Sequence, residues 1–482
     1  MFDLRPVGYI IGLLTAALGV AMLFPMMLDW LAGNDHWQSF FESAAITLLS
    51  GVLLALACAN ARHRSLTLRD SFILTTGVWI ALPFFGALPF ILGEPRASLT
   101  DALFEAMSGM TTTGSTVFVG LDNLPMGTNL WRGILQWLGG LGIVIVALIF
   151  LPAMKVGGMQ FFRSEGFDTL GKVLPRALDI SAGLVQVYVV LTLLCAIAYW
   201  GLGMTGFEAA VHAMTTIATG GFSTSDDSFA RFVGPMEYAS ALFMILATLP
   251  FIRYLQLMQG SVRPLLRDFQ VLTYLRWLGY AVAAVLVHRV AVQGAEPVAA
   301  LREIVFHVVS IMTGTGYSSV SLTGWGDFSF VVLMMVGFIG GCTSSTGCSI
   351  KVFRYMVMFE AIRTQIRRLL SPNAVLPVRL GRRVVEADVI NSVIVFFTVF
   401  VLSYGVLVIA LSMTGLDSLT ALTAAWTAIA NIGPAFGPEV GSTGAMDGFP
   451  TSAKWLMIFG MLVGRLEILS VYVLFTVRFW AR

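Results

Sequence analysis

Ten long apolar runs set the organisation of the chain, at 8–31, 40–58, 71–92, 129–153, 182–204, 236–258, 271–293, 328–352, 388–413 and 452–478. A helix crossing the hydrocarbon of a bilayer needs about 20 mostly apolar residues, so each run is read as one crossing. Four shorter amphipathic pieces lie between them, near 101–111, 207–218, 301–312 and 419–430. They are too short to span, and each runs into a small cluster of Thr, Gly, Ser or Asn. That pattern predicts a helix dipping partway into the membrane and a turn bringing the chain back out. The first run, from about Tyr9 to Leu31, is long enough to cross and shows no small-x-small cleavage site, so it is read as a retained helix.

The dipping pieces are copies of one another. With Gly114, Gly221, Gly316 and Gly433 aligned, a hydroxyl stands six residues earlier in every copy: Ser108, Thr215, Ser310 and Thr427. Four residues earlier stand the bulky Met110, Ile217, Met312 and Ile429, and eight residues earlier the small Ala106, Ala213, Val308 and Ala425. Four unrelated glycine loops would not share all three positions. The predicted fold is an all-α polytopic membrane protein, with four repeats of helix, dipping helix, strand and helix in pseudo-fourfold arrangement around one pore. An N-terminal hairpin at 1–68 precedes them, and the repeats occupy 69–178, 179–268, 269–384 and 385–482.

Composition agrees. The chain is 57% hydrophobic and 12% charged, against about 25% charged in soluble domains. The net charge of +2 implies no nucleic-acid partner. Cys58, Cys195, Cys342 and Cys348 form no CxxC, no HExxH is present, and no phosphate-binding glycine motif opens a helix. With no convergent acid, base or metal cluster, an integral-membrane enzyme is not the expected class. Lys and Arg orient the chain. Rich connections hold Arg62, Arg64 and Arg69; then Lys155, Arg163, Lys172 and Arg176; then Arg253, Arg263 and Arg267; then Arg354, Arg363, Arg367, Arg368, Arg379, Arg382 and Arg383. They alternate with poor ones containing Asp35, Glu94, Asp122, Asp226, Asp227 and Asp447. The rich side is expected to be cytoplasmic, with both termini there beside Arg5, Arg478 and Arg482. The dipping helices then enter from outside.

The candidate site is the set of segments reaching the shared glycines: Thr112, Thr113 and Gly114; Thr219, Gly220 and Gly221; Gly314, Thr315 and Gly316; Asn431, Ile432 and Gly433. None contains an acid. A passage lined this way must use main-chain carbonyl oxygens, the groups that replace the hydration shell in potassium filters. The inward C-terminal ends of four dipping helices, each carrying about half a negative charge, favour a cation.

Thr313-Gly314-Thr315-Gly316-Tyr317 is similar to a potassium-channel signature strand, and the layout resembles the Trk/Ktr/HKT superfamily of potassium transporters, its TrkH branch above all. The specific elements are Thr111-Thr112-Thr113-Gly114-Ser115-Thr116, Ala218-Thr219-Gly220-Gly221-Phe222-Ser223 and Gln136-Trp137-Leu138-Gly139-Gly140-Leu141-Gly142. The resemblance covers essentially the whole chain. It implies potassium uptake across a bacterial inner membrane, with K+ as transported ion and no organic cofactor. It also implies a homodimer with one pore per subunit, and a TrkA-type cytoplasmic ring of nucleotide-binding regulatory subunits. Only the third repeat carries the full signature, which should weaken discrimination against sodium.

The run at 338–349 is expected to interrupt the second helix of the third repeat, through Gly340, Gly341, Gly347 and several Ser and Thr. The alternatives are a kink or close packing. The resemblance implies a loop there that obstructs the pore, and an arginine matching Arg465 that restrains it. Arg465 lies midway along the last run, where an arginine costs about 2.5–3.5 kcal/mol. A structural pair with Glu467 or backbone carbonyls is the alternative. Glu105, His212 and His307, each nine residues before its glycine, read either as an electrostatic ring behind the filter or as polar residues near the outer helix starts. Lys351 is expected to snorkel at the cytoplasmic boundary. The stretch Arg363 to Arg383 could dock a partner or anionic lipid, or reflect topology alone. A secondary carrier coupling potassium to sodium or protons is the competing function, although carriers usually carry inverted repeats.

Overall fold

The computed structural model describes residues 3–61, 66–149, 177–381 and 383–481. Arg62, Arg64, Lys155, Arg163, Lys172, Arg176, Arg382 and Arg482, used above for orientation, lie outside the described residues.

The N-terminal hairpin pairs Arg5–Ala21 and Leu23–Leu31 with Trp37–Ala57. Small residues let the two backbones touch. A side chain on Gly12 would meet the amide of Ala55 and the carbonyl of Gly51. Four helix–dip–helix units follow, with dipping helices at Leu99–Met110, Gly206–Ile217, Pro297–Thr313 and Ser418–Ala430. Each starts where its sequence supplies a cap for orphan amides. Ser98 accepts from the Asp101 N–H, Thr205 forms a reciprocal box with Glu208, Glu296 accepts from Val298 and Ala299, and Asp417 from Leu419.

Polarity is arranged inside out. Leu53, Leu56, Leu193, Ile197, Val401, Leu402 and Ile409 are exposed on the long helices, while Glu105, Arg132, Gln136, His212 and Thr427 are buried. Lipid solvates the former, and the interior must satisfy the latter.

Among the described residues, seven helices are long and apolar enough to cross a membrane, and nine if each of two bent pairs is one span. Three of the ten expected runs, 236–258, 328–352 and 452–478, are broken within their length. The pair Pro235–Thr248 and Phe251–Met258 is bent by 93°, and the pair Thr451–Arg465 and Ile468–Phe475 by 111°. Pro250 lacks an N–H and leaves Leu249 extended at ψ 157°, so the first break has a covalent cause. At the second, Glu467 is left-handed with φ 62°. In the third repeat, Gly326–Ile339 stops and the next helix begins only at Val352. Fourteen residues of helix rise about 21 Å, short of the hydrocarbon's ~30 Å. Its counterpart in the first repeat, Met126–Ile149, is one helix.

Candidate functional site

The four shared glycines close a ring. A side-chain carbon at Gly114 would run into the carbonyl oxygen of Gly220, one at Gly221 into that of Thr315, and one at Gly316 into that of Ile432. One at Gly433 would lie 3.0 Å from the carbonyl oxygen of Thr113. Each of these carbonyls belongs to the residue just before the next repeat's glycine, and the fourth step returns to the first repeat. The strands therefore surround one axis in chain order. All twelve residues of the candidate site lie in these strands.

The strands share an unusual backbone. The glycines are left-handed, with φ of 86°, 76°, 78° and 112° at Gly114, Gly221, Gly316 and Gly433. The residues two positions earlier are left-handed too: Thr112 at 51°, Thr219 at 53°, Gly314 at 80° and Asn431 at 52°. Those between, Thr113, Gly220, Thr315 and Ile432, are not. Alternating hand turns successive carbonyl groups to one side of the chain, where they can line a passage. A left-handed Thr or Asn costs about 1–3 kcal/mol, so the surroundings must hold it. They do so identically. The N–H groups of Thr113, Gly220, Thr315 and Ile432 donate to the carbonyls of Ser108, Thr215, Ser310 and Thr427, at 2.9, 2.8, 2.9 and 3.2 Å. In three of the four repeats the recurring hydroxyl ties the dipping helix to its strand as well, while Thr215 Oγ1 meets the Tyr317 hydroxyl of the next repeat. Ser108 donates to Ser115 O, Ser310 donates to Tyr317 O, and Thr427 accepts from Gly433 N.

Glu105, His212 and His307 lie within the dipping helices and are buried, away from the helix starts. Each braces a strand from behind. Glu105 pairs with Arg132 at 2.8 Å and accepts from Thr116 Oγ1 and Val117 N. His307 Nε2 accepts from Ser319 N, and His212 Nε2 meets Ser223 Oγ at 3.1 Å. Arg132 and Glu237, which holds Ser319 Oγ and Arg302, were not anticipated. A charge on a helix after the strand, lying opposite a polar residue before it, is their only trace in sequence. In the loop after the fourth strand, hydrogen bonds from Thr420 and then the Asp417 N–H hold the Glu439 carboxyl below its ordinary range. Removing Glu105 leaves Arg132 buried and unpaired, which costs about 3–5 kcal/mol. Glu105→Ala is therefore expected to lower the melting temperature of the purified protein sharply, as read by thermal unfolding in detergent.

The segment from Gly340 to Lys351 packs under the ring as an ordered loop. Cys342 N donates to Thr248 O and Thr343 N to Gln270 Oε1, while Gly341 and Gly347 lie back to back with Cα to added-Cβ distances near 3 Å. Cys348 Sγ lies 3.6 Å from Thr112 Oγ1, at the inner end of the first strand. Arg465 is buried. Its Nη1 reaches Cys348 Sγ at 2.6 Å and Thr346 O at 3.3 Å, and its Nη2 reaches Gly139 O at 3.4 Å. Gly340, Gly341, Gly347 and Arg465 are thus one assembly. Glu467 pairs instead with Arg354, which a sequence separation of 113 residues concealed. Lys351 is buried at 6% exposure with φ 72°, so it does not snorkel at a boundary. It lines, with Asn431, Cys348, Arg465 and Glu467, a cavity of about 20 Å³ beneath the ring.

Residues 36–480 match the family TrkH, described as "Cation transport protein". The chain belongs to the TrkH family. It is 39% identical over 477 residues to the Trk system potassium uptake protein TrkI of Halomonas elongata, covering 98% of this chain and 96% of that protein. It is 34% identical to the Trk system potassium uptake protein TrkH of Escherichia coli K12, covering 99% of each. The crystal structure of the potassium transporter TrkH from Vibrio parahaemolyticus superposes with a TM-score of 0.91 at 30% identity, over 100% of both chains. The repeated layout described above is consistent with the TrkH fold, and the chain is a multi-pass membrane protein of a transporter family.

Proposed function

We propose that this protein takes up potassium across a bacterial inner membrane through a gated filter of main-chain carbonyls. The observation that carries this reading is the ring itself: four glycines, each against the carbonyl preceding the next, with no carboxylate in any strand. Such a ring suits a monovalent cation stripped of its water. The TrkI and TrkH relatives are named for potassium uptake. The gate is the Gly340–Lys351 loop, held across the path by Arg465. Both termini are cytoplasmic, the protein works as a homodimer, and a TrkA-type nucleotide-binding ring acts on the basic cytoplasmic face around Arg363 and Arg379. The secondary-carrier reading is weaker, because the four repeats run in the same direction and their strands lack acids.

The test is growth at limiting potassium of a bacterium stripped of its own uptake systems, with and without a regulatory ring subunit supplied. Growth restored by this chain, and raised by the ring, is expected. Failure to restore growth while the protein sits in the membrane overturns the reading. Strict dependence of flux on a second ion would replace the channel by the carrier.

A further inference from the structure

The second strand is gripped from the neighbouring repeat by a side-chain amide. Gln136 lies on Met126–Ile149 of the first repeat and is fully buried. Its Nε2 donates to the carbonyl of Gly220 at 2.7 Å, and its Oε1 accepts from Phe222 N at 3.1 Å. Gly220 O is also the oxygen that faces Gly114 in the ring. One helical turn earlier, on the same face, Arg132 Nη1 donates to Ser223 O at 2.7 Å and its guanidinium lies 4.2 Å from the Phe222 ring centre. Three points of the second strand are thus fixed by two side chains of the first repeat. Gly220 must be glycine for this, since a side chain there would overlap the Gln136 amide.

We infer that Gln136 is a specificity-determining positioning residue, which fixes the Gly220 carbonyl in the ring and so sets the preference for potassium over sodium. The inference rests on the filter reading proposed above. A carbonyl oxygen has two lone pairs. The amide takes one of them, holds the oxygen at a set distance from the axis and draws charge from it. Both effects bear on selectivity, whether that depends on cavity size or on carbonyl field strength. Released from Gln136, the oxygen swings toward the axis and closes on a smaller ion. Sodium gains more from that than potassium does.

The test is the potassium-to-sodium permeability ratio, from reversal potentials of the reconstituted full-length protein, for Gln136→Met and Gln136→Ala. Met keeps the length and loses both hydrogen bonds. The ratio is expected to fall about five- to tenfold in each, the scale of one hydrogen bond. A ratio within twofold of wild type, even with a lowered melting temperature, assigns Gln136 a purely structural role and overturns the inference. If Gln136→Ala fails to fold, the near-isosteric Gln136→Met decides alone. A wild-type protein that does not discriminate between the two ions fails the filter reading itself, which is a distinguishable result.

Discussion

Alanine at Gly221 is expected to cut potassium uptake into reconstituted vesicles by more than tenfold, while leaving the protein folded. Two costs converge there. Gly221 is left-handed at φ 76°, and an L side chain in that conformation costs about 1–2 kcal/mol. The added carbon also overlaps the carbonyl of Thr315, a backbone atom that cannot rotate away as a side chain can. Overpacking of this kind adds about 1–3 kcal/mol, and each ~1.4 kcal/mol placed on the conducting geometry is a factor of ten. Gly33 is the comparator. It is left-handed at φ 68°, but nothing lies within 4 Å of an added carbon. Gly33→Ala should therefore cost only its torsional part and leave uptake close to wild type. Equal uptake by Gly221→Ala and wild type would mean that ions do not pass through this ring.

The second large effect is at the other end of the path. Arg465→Gln is expected to raise potassium flux about tenfold in the absence of any regulatory partner, measured as rubidium uptake by vesicles. Arg465 ties the loop, through Cys348 and Thr346, to the first repeat, through Gly139. A glutamine is too short to hold all three and removes a fixed positive charge from the cavity below the ring. Hydrogen bonds to a charged group are worth about 1.5–3 kcal/mol each, so losing even one shifts the loop by an order of magnitude in population. Arg465→Lys keeps the charge without the fork and should fall between the two. Unchanged flux and unchanged response to the partner in both variants would remove Arg465 from the mechanism.

The ring was legible in the sequence because its demands are local. Each strand needs a left-handed glycine, a hydroxyl six residues before it and small residues to pack against, and these recur at fixed spacing in all four copies. The interrupted helix of the third repeat was legible for the same reason, since three glycines crowd into it. The braces were not. Arg132, Gln136 and Glu237 act on strands of the following repeat, and Arg354 finds Glu467 across 113 residues. Hydropathy also reads 452–478 as one uninterrupted span, because the break at Glu467 lies in the fold of a single left-handed residue and not in apolar content. Lys351 misled in the opposite sense: a lysine after an apolar run looks like a boundary, yet its loop folds back and buries it.

A pore built from four identical chains receives every substitution four times over. Here one polypeptide supplies all four walls, and the walls already differ: the left-handed position before the ring glycine is Thr112, Thr219, Gly314 or Asn431 according to the quadrant. A substitution in this chain therefore alters one quarter of the ring and leaves the other three as they were.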